Sequence, residues 1–236
     1  MLGLRQRTET TPMDTRARKV RRASRSRGGF TLLETMLTLV IISIGVAAVF
    51  DSYSAFTIAN EWSSRTATAE LLANEIREFT RELPRHDPVT GLSVGAGGIV
   101  YGWGLEPGEI NPTDIDDIDD LDGLQFVFSG ADLANDEMPG PIDAAGNVID
   151  QYVLNGTDRA SGDNVQFGWV QSISVTKVDP FDYAEELDVT FSEDPDGDFR
   201  GRRVDQYPLK ITVSVAYQGL YDAEPENITS LSWIVP

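Results

Sequence analysis

The sequence has no cysteine and a single histidine, His86. Without cysteine there is no disulfide framework and no thiolate metal site, and the redox compartment is not readable from the chain. One histidine, set between Arg85 and Asp87 with no second histidine or glycine-framed serine, offers no nucleophile and base pair. No catalysis and no organic cofactor are therefore expected. Positive charge is also scarce beyond the start. Nine of the nineteen Lys and Arg residues lie in residues 1–29 against Glu9 and Asp14, so the remainder holds ten basic and thirty-six acidic side chains, a balance of −26. Such a surface repels nucleic acid and anionic headgroups, so no nucleic-acid partner is expected.

What is present divides the chain in three. Residues 1–29 are rich in Arg, Ser and Thr, lack apolar periodicity and read as a disordered basic leader. From Phe30 to Phe50 twenty-one residues carry one charge, Glu34, with Leu37, Leu39, Val40, Ile41, Ile42, Ile44 and Val46 forming the apolar body. A helix of roughly 20 such residues spans a bilayer. The basic flank holds that side in the cytoplasm. Trp62, Ala69, Leu72, Ile76, Phe79 and Leu83 then fall on one face of an amphipathic helix, which Pro84 ends. One helix over residues 30–83 is expected, about 80 Å long.

Residues 84–236 change character to short apolar runs between turn residues. Strands are expected at Ile99–Trp103, Leu124–Phe128, Gln151–Leu154, Val165–Val178, Leu187–Phe191, Leu209–Tyr217 and Leu231–Val235. The alternation of Ile211, Val213, Val215 and Tyr217 with Thr212, Ser214 and Ala216 marks a half-buried antiparallel strand. The expected fold is α+β, with the amphipathic part of the helix covering an antiparallel sheet in an acidic head.

Arg27, Gly28, Gly29, Phe30, Thr31, Leu32, Leu33 and Glu34, with the unbroken apolar run behind them, resemble the cleavage and methylation signature of type IV prepilins and type II secretion pseudopilins. The resemblance implies a pilin-like fold and a cut by prepilin peptidase between Gly29 and Phe30. It also implies methylation of the Phe30 amine, and Glu34 pairing with that amine on a neighbouring subunit to set register. The implied partners are the peptidase, other pilins or pseudopilins through the helix, and the inner membrane, with the head in the periplasm. The stretch TATAELLANEIREFTREL looks like minor pilins and minor pseudopilins of the V and I type. The leader is long for this family; initiation at Met13 would shorten it. Two rivals stand beside this reading: an exported soluble protein cut after Ala48, and an uncleaved signal-anchored protein.

Two acidic stretches complete the reading. The run Asp114–Asp122, DIDDIDDLD, is an oxygen-rich cluster of the sort hard cations favour, and is expected at the least to be a solvated acidic loop. Asp194, Asp196 and Asp198 space carboxylates like the start of a calcium loop, though Phe199 stands where glycine is wanted. The resemblance adds that some pseudopilins hold calcium in the head. Arg200, Arg202 and Arg203 are read as local charge compensation.

Overall fold

The structure is a computed structural model that describes residues 29, 31–129, 132–149 and 168–236. The chain forms two compact units, residues 1–54 and 55–236. Helix α1, Leu32–Phe79, contributes to both.

In the first unit the described residues are the start of α1, and every one from Thr31 to Ser54 is exposed. Thr31 begins the helix: its carbonyl and its hydroxyl oxygen accept from the Glu34 N–H at 3.0 and 3.3 Å. Hydroxyls inside the apolar run turn back on their own helix. Thr38 donates to the Glu34 carbonyl at 2.7 Å, and Ser43 and Ser52 donate to the carbonyls of Leu39 and Ala48 at 2.8 Å. A polar group satisfied within its own segment is compatible with hydrocarbon.

The second unit is an α+β head in which the rest of α1 packs on a mixed sheet. The helix buries Ala69, Leu72, Ala73, Ile76 and Phe79, the i, i+3, i+4 spacing of one helical face. The expected stripe is corrected at both ends. Trp62 is 49% exposed, and one turn further on Arg65 sits over the Tyr217 ring at 4.4 Å. The α-helix ends at Phe79 rather than Leu83. The Arg81 and Glu82 amides bond three residues back, and the chain passes through turns before Pro84. Leu83 still packs on the core, half-buried.

The strands are β1 (Ser93–Val94), β2 (Val100–Tyr101), β3 (Gln125–Val127), β4 (Glu137–Pro139), β5 (Trp169–Val178), β6 (Glu186–Leu187), β7 (Leu209–Tyr217) and β8 (Glu226–Val235). β1 and β2 form a small hairpin; the main sheet runs β4-β3-β5-β7-β8, with β6 beside one end of β5. The sheet is antiparallel as expected across β3, β5, β6, β7 and β8, and β4 joins β3 in parallel. β7 matches its expected bounds and buries Leu209, Ile211, Val213 and Val215 while Lys210, Thr212 and Ser214 face out. On that outer face Thr212 meets Ser232 at 2.9 Å and Ser214 meets Ser230 at 3.3 Å. β8 starts five residues earlier than expected, and its register with β7 shifts between Val215 and Ala216, leaving Ile228 as a bulge. The run expected at Leu187–Phe191 is a strand only at its first residue. From Asp188 a turn follows, held by the Thr190 amide and hydroxyl on the Asp188 carboxylate. The strand expected at Gln151–Leu154 and the start of the one expected from Val165 lie outside the described residues.

Candidate functional site

The site that sequence places at the start of α1 is partly described. Gly29 is exposed and Phe30 lies outside the described residues. A Cβ built on Gly29 meets nothing within 4 Å, and its φ is not in the left-handed region. Among the described residues nothing demands glycine there. Glu34 stands in the first turn of α1, where a carboxylate faces the positive end of the helix dipole. The residues that follow are apolar on all sides of the helix and uncovered. Leu37, Leu39, Val40, Ile41, Ile42 and Ile44 are 54–65% exposed, and Val46 is 49% exposed. Among the described residues α1 is the helix long and apolar enough to cross a membrane, and none of its most apolar stretch is buried.

The head holds a second constellation, one that sequence reading misplaced. Asp114–Asp122 is not a solvated loop: Asp117, Asp119 and Asp120 are 0–1% exposed. The physical reason is visible in the letters. Ile115, Ile118 and Leu121 recur every third residue, the period of a 3-10 turn, and all three enter the core with Ile76 and Phe79. Burying that stripe carries Asp117, Asp119 and Asp120 inward, while Asp116 stays exposed. The loop is then tied down by its own carboxylates. Asp119 accepts from Gly104 N–H at 3.3 Å and pairs with His86 Nδ1, while Asp122 accepts from Trp103 Nε1 at 3.1 Å and from Val175 N–H at 2.9 Å.

Burial and mutual repulsion push these acids toward their neutral forms. Loss of solvent, then the Asp120 charge, raises Glu106 to about 8. Loss of solvent with Asp119 and Asp120 nearby raises Asp117 to about 8, and burial raises Asp119 to about 7. Asp120 and Glu109 are raised for the same first reason. Burial, then the Arg85 charge, lowers His86 to about 4.

Asp194, Asp196 and Asp198 lie elsewhere, exposed along a tight turn in which Asp196 and Phe199 exchange both backbone hydrogen bonds. Among the described residues, the carboxylate triads that converge on a common point come from 106–120 and do not include these three. Of the nearby arginines, Arg202 pairs with Glu193 at 3.0 Å and Arg203 with Asp205 at 3.2 Å.

Residues 24–50 match the family model of the prokaryotic N-terminal methylation motif. That match is consistent with the type IV prepilin and pseudopilin family, and the architecture is pilin-like: an N-terminal methylation motif, a long apolar helix and an α+β head. No curated protein and no solved structure matches it.

Proposed function

We propose that this chain is a minor pilin or pseudopilin, a structural subunit of a type IV pilus or a type II secretion pseudopilus. The observation that carries the reading is the methylation motif over residues 24–50, which overlaps an apolar helical stretch that is exposed among the described residues. Prepilin peptidase cuts after Gly29, and the Phe30 amine is methylated. Glycine suits a site where extended backbone enters a protease, and among the described residues nothing else demands it. The helix then holds the subunit in the inner membrane with the head in the periplasm. Assembly exchanges lipid contacts for contacts between helices. Glu34 pairs with the Phe30 amine of a neighbour, since a carboxylate just inside hydrocarbon is unfavourable until an opposite charge meets it. The work is mechanical rather than catalytic.

Mass spectrometry of the protein purified from its host membrane tests this. The expected mature chain begins with N-methylated Phe30. Gly29→Leu should retain the leader, and Glu34→Ala should be cut normally yet lose filament incorporation about tenfold or more, the equivalent of one ~1.4 kcal/mol contact. A terminus at Val49, or an unchanged mass in Gly29→Leu with the leader present in both proteins, overturns the reading.

A further inference from the structure

The loop after α1 carries two overlapping carboxylate triads, Glu106 with Glu109 and Asp120, and Asp116 with Asp117 and Asp120. Each triad offers oxygens within 4.8 Å of one another. Oxygens on opposite sides of a calcium ion, at about 2.3–2.6 Å from it, stand ~4.6–5.2 Å apart, so this is the spacing of a coordination shell. Crowded acids at a surface can be screened by water, but the central two, Asp117 and Asp120, are not at the surface. Asp117 is 0% and Asp120 1% exposed. Asp117 Oδ2, Asp120 Oδ1 and both carboxylate oxygens of Glu106 are buried without a hydrogen-bond partner.

The other oxygens show how the free ones are held. Asp120 Oδ2 accepts from the N–H groups of Asp116 and Asp117 at 3.4 and 3.3 Å, and Asp117 Oδ1 accepts from Asp120 N–H at 3.2 Å. Glu109 Oε2 accepts from Glu106 N–H at 2.7 Å. Asp117 and Asp120 are each fixed to backbone by one oxygen and left with the other unsatisfied, an arrangement strongly unfavourable unless something positive completes it. Among the described residues no Lys, Arg or His side chain pairs with any of the five.

We infer that Glu106, Glu109, Asp116, Asp117 and Asp120 form a binding site for a hard divalent cation, calcium above all, with Asp120 as the shared ligand. An all-carboxylate donor set without cysteine or histidine selects hard cations over zinc or copper. Calcium accepts many oxygens in irregular geometry, whereas magnesium demands a near-ideal octahedron and keeps its waters. This site is separate from Asp194, Asp196 and Asp198. Its ion would fasten the loop to the head, because Ile115, Ile118 and Leu121 belong to the core under Phe79 and Ile118 N–H donates to the Pro84 carbonyl at 2.9 Å.

The test is calorimetric titration of calcium chloride into the full chain in detergent micelles after chelator treatment, with thermal unfolding followed in parallel. Saturable binding of one or two ions per chain is expected up to about 1 mM calcium, the range of extracellular modules, with a raised Tm. Outer partners of a metal site are worth about 10- to 100-fold in affinity and a direct ligand no less, so Asp120→Asn should weaken binding at least about tenfold. Asp116→Asn, at an exposed position, should weaken binding while leaving the fold intact if the central variant does not fold. Asp194→Asn with Asp196→Asn should change nothing. No heat and no Tm shift with calcium would mean the carboxyls only share protons, and would overturn the site. So would binding lost through the Asp194 and Asp196 changes, or binding equal in wild type and Asp116→Asn.

Discussion

Gln171 joins three segments of the head through one side chain. Wholly buried in β5, it donates to the Leu72 carbonyl of α1 at 2.9 Å and to the Ile142 carbonyl at 3.2 Å, and accepts from Ile142 N–H at 2.8 Å. Gln171→Ala removes the partner of a buried N–H and leaves a cavity, and should destabilise the protein by about 2–4 kcal/mol. The urea midpoint of the full chain in micelles measures it. Lys177 makes the opposite case, a buried charge. Its ammonium donates to the Val189 and Phe191 carbonyls and lies 5.3 Å from the centre of the Tyr207 ring, and the Asp188 and Asp205 charges partly compensate it. Loss of solvent still lowers it to about 8. The folded chain therefore releases this proton near 8 and the unfolded chain near about 10.4, so between these values the unfolded state holds more protons and stability rises with pH. Relative to Lys177→Met, the wild type should gain about 1–3 kcal/mol from about pH 7.5 to about pH 10. A gap that stays constant across that range would show that the ammonium is as well solvated folded as unfolded.

At the scale of elements, α1 asks different things of its two ends. Where it meets the sheet, Ala69 and Ala73 let the backbone come close, and Leu72 and Ile76 fill the space against Ile173, Val213 and their neighbours. Ile76→Ala should lower stability by about 2–5 kcal/mol, read from the shift in the denaturant midpoint with an unchanged slope. Leu71, on the opposite face and 59% exposed, should tolerate Ala within about 0.5 kcal/mol. This division was legible in the sequence because a helical face and a half-buried strand each write a period into the letters, 3.6 in α1 and 2 in β7. β4 was not, being three residues, Glu137–Pro139, whose pairing with β3 depends on distant chain. The acidic loop was misread for a different reason. Six aspartates in nine residues mark charge, whereas the three-residue apolar spacing of Ile115, Ile118 and Leu121 decides burial. Glu106 and Glu109 lie ten or more residues from Asp120 along the chain, and only folding brings the three together.

The chain joins surfaces of opposite character: an apolar helical stretch that is exposed among the described residues, and a head whose acids greatly outnumber its bases. The first is stable in lipid or against other helices, while the second stays in water and is repelled by anionic headgroups. A membrane therefore suits both parts of a lone subunit, and the proposed topology has the basic residues before the helix on the cytoplasmic side. The absence of cysteine makes that orientation directly measurable, since any introduced thiol is the only one in the chain. Tyr221 is 96% exposed in the head and Ile42 lies within the apolar helix, so Tyr221→Cys and Ile42→Cys probe water and lipid without touching the core. In cells with a permeabilised outer membrane, a membrane-impermeant maleimide should label Tyr221→Cys at once and leave Ile42→Cys unlabelled until detergent is added. Labelling of Tyr221→Cys only after the inner membrane is broken would put the head in the cytoplasm and reverse the proposed topology. Ready labelling of Ile42→Cys in intact membranes would mean that the helix is not in lipid, and that α1 must find cover for its apolar residues elsewhere.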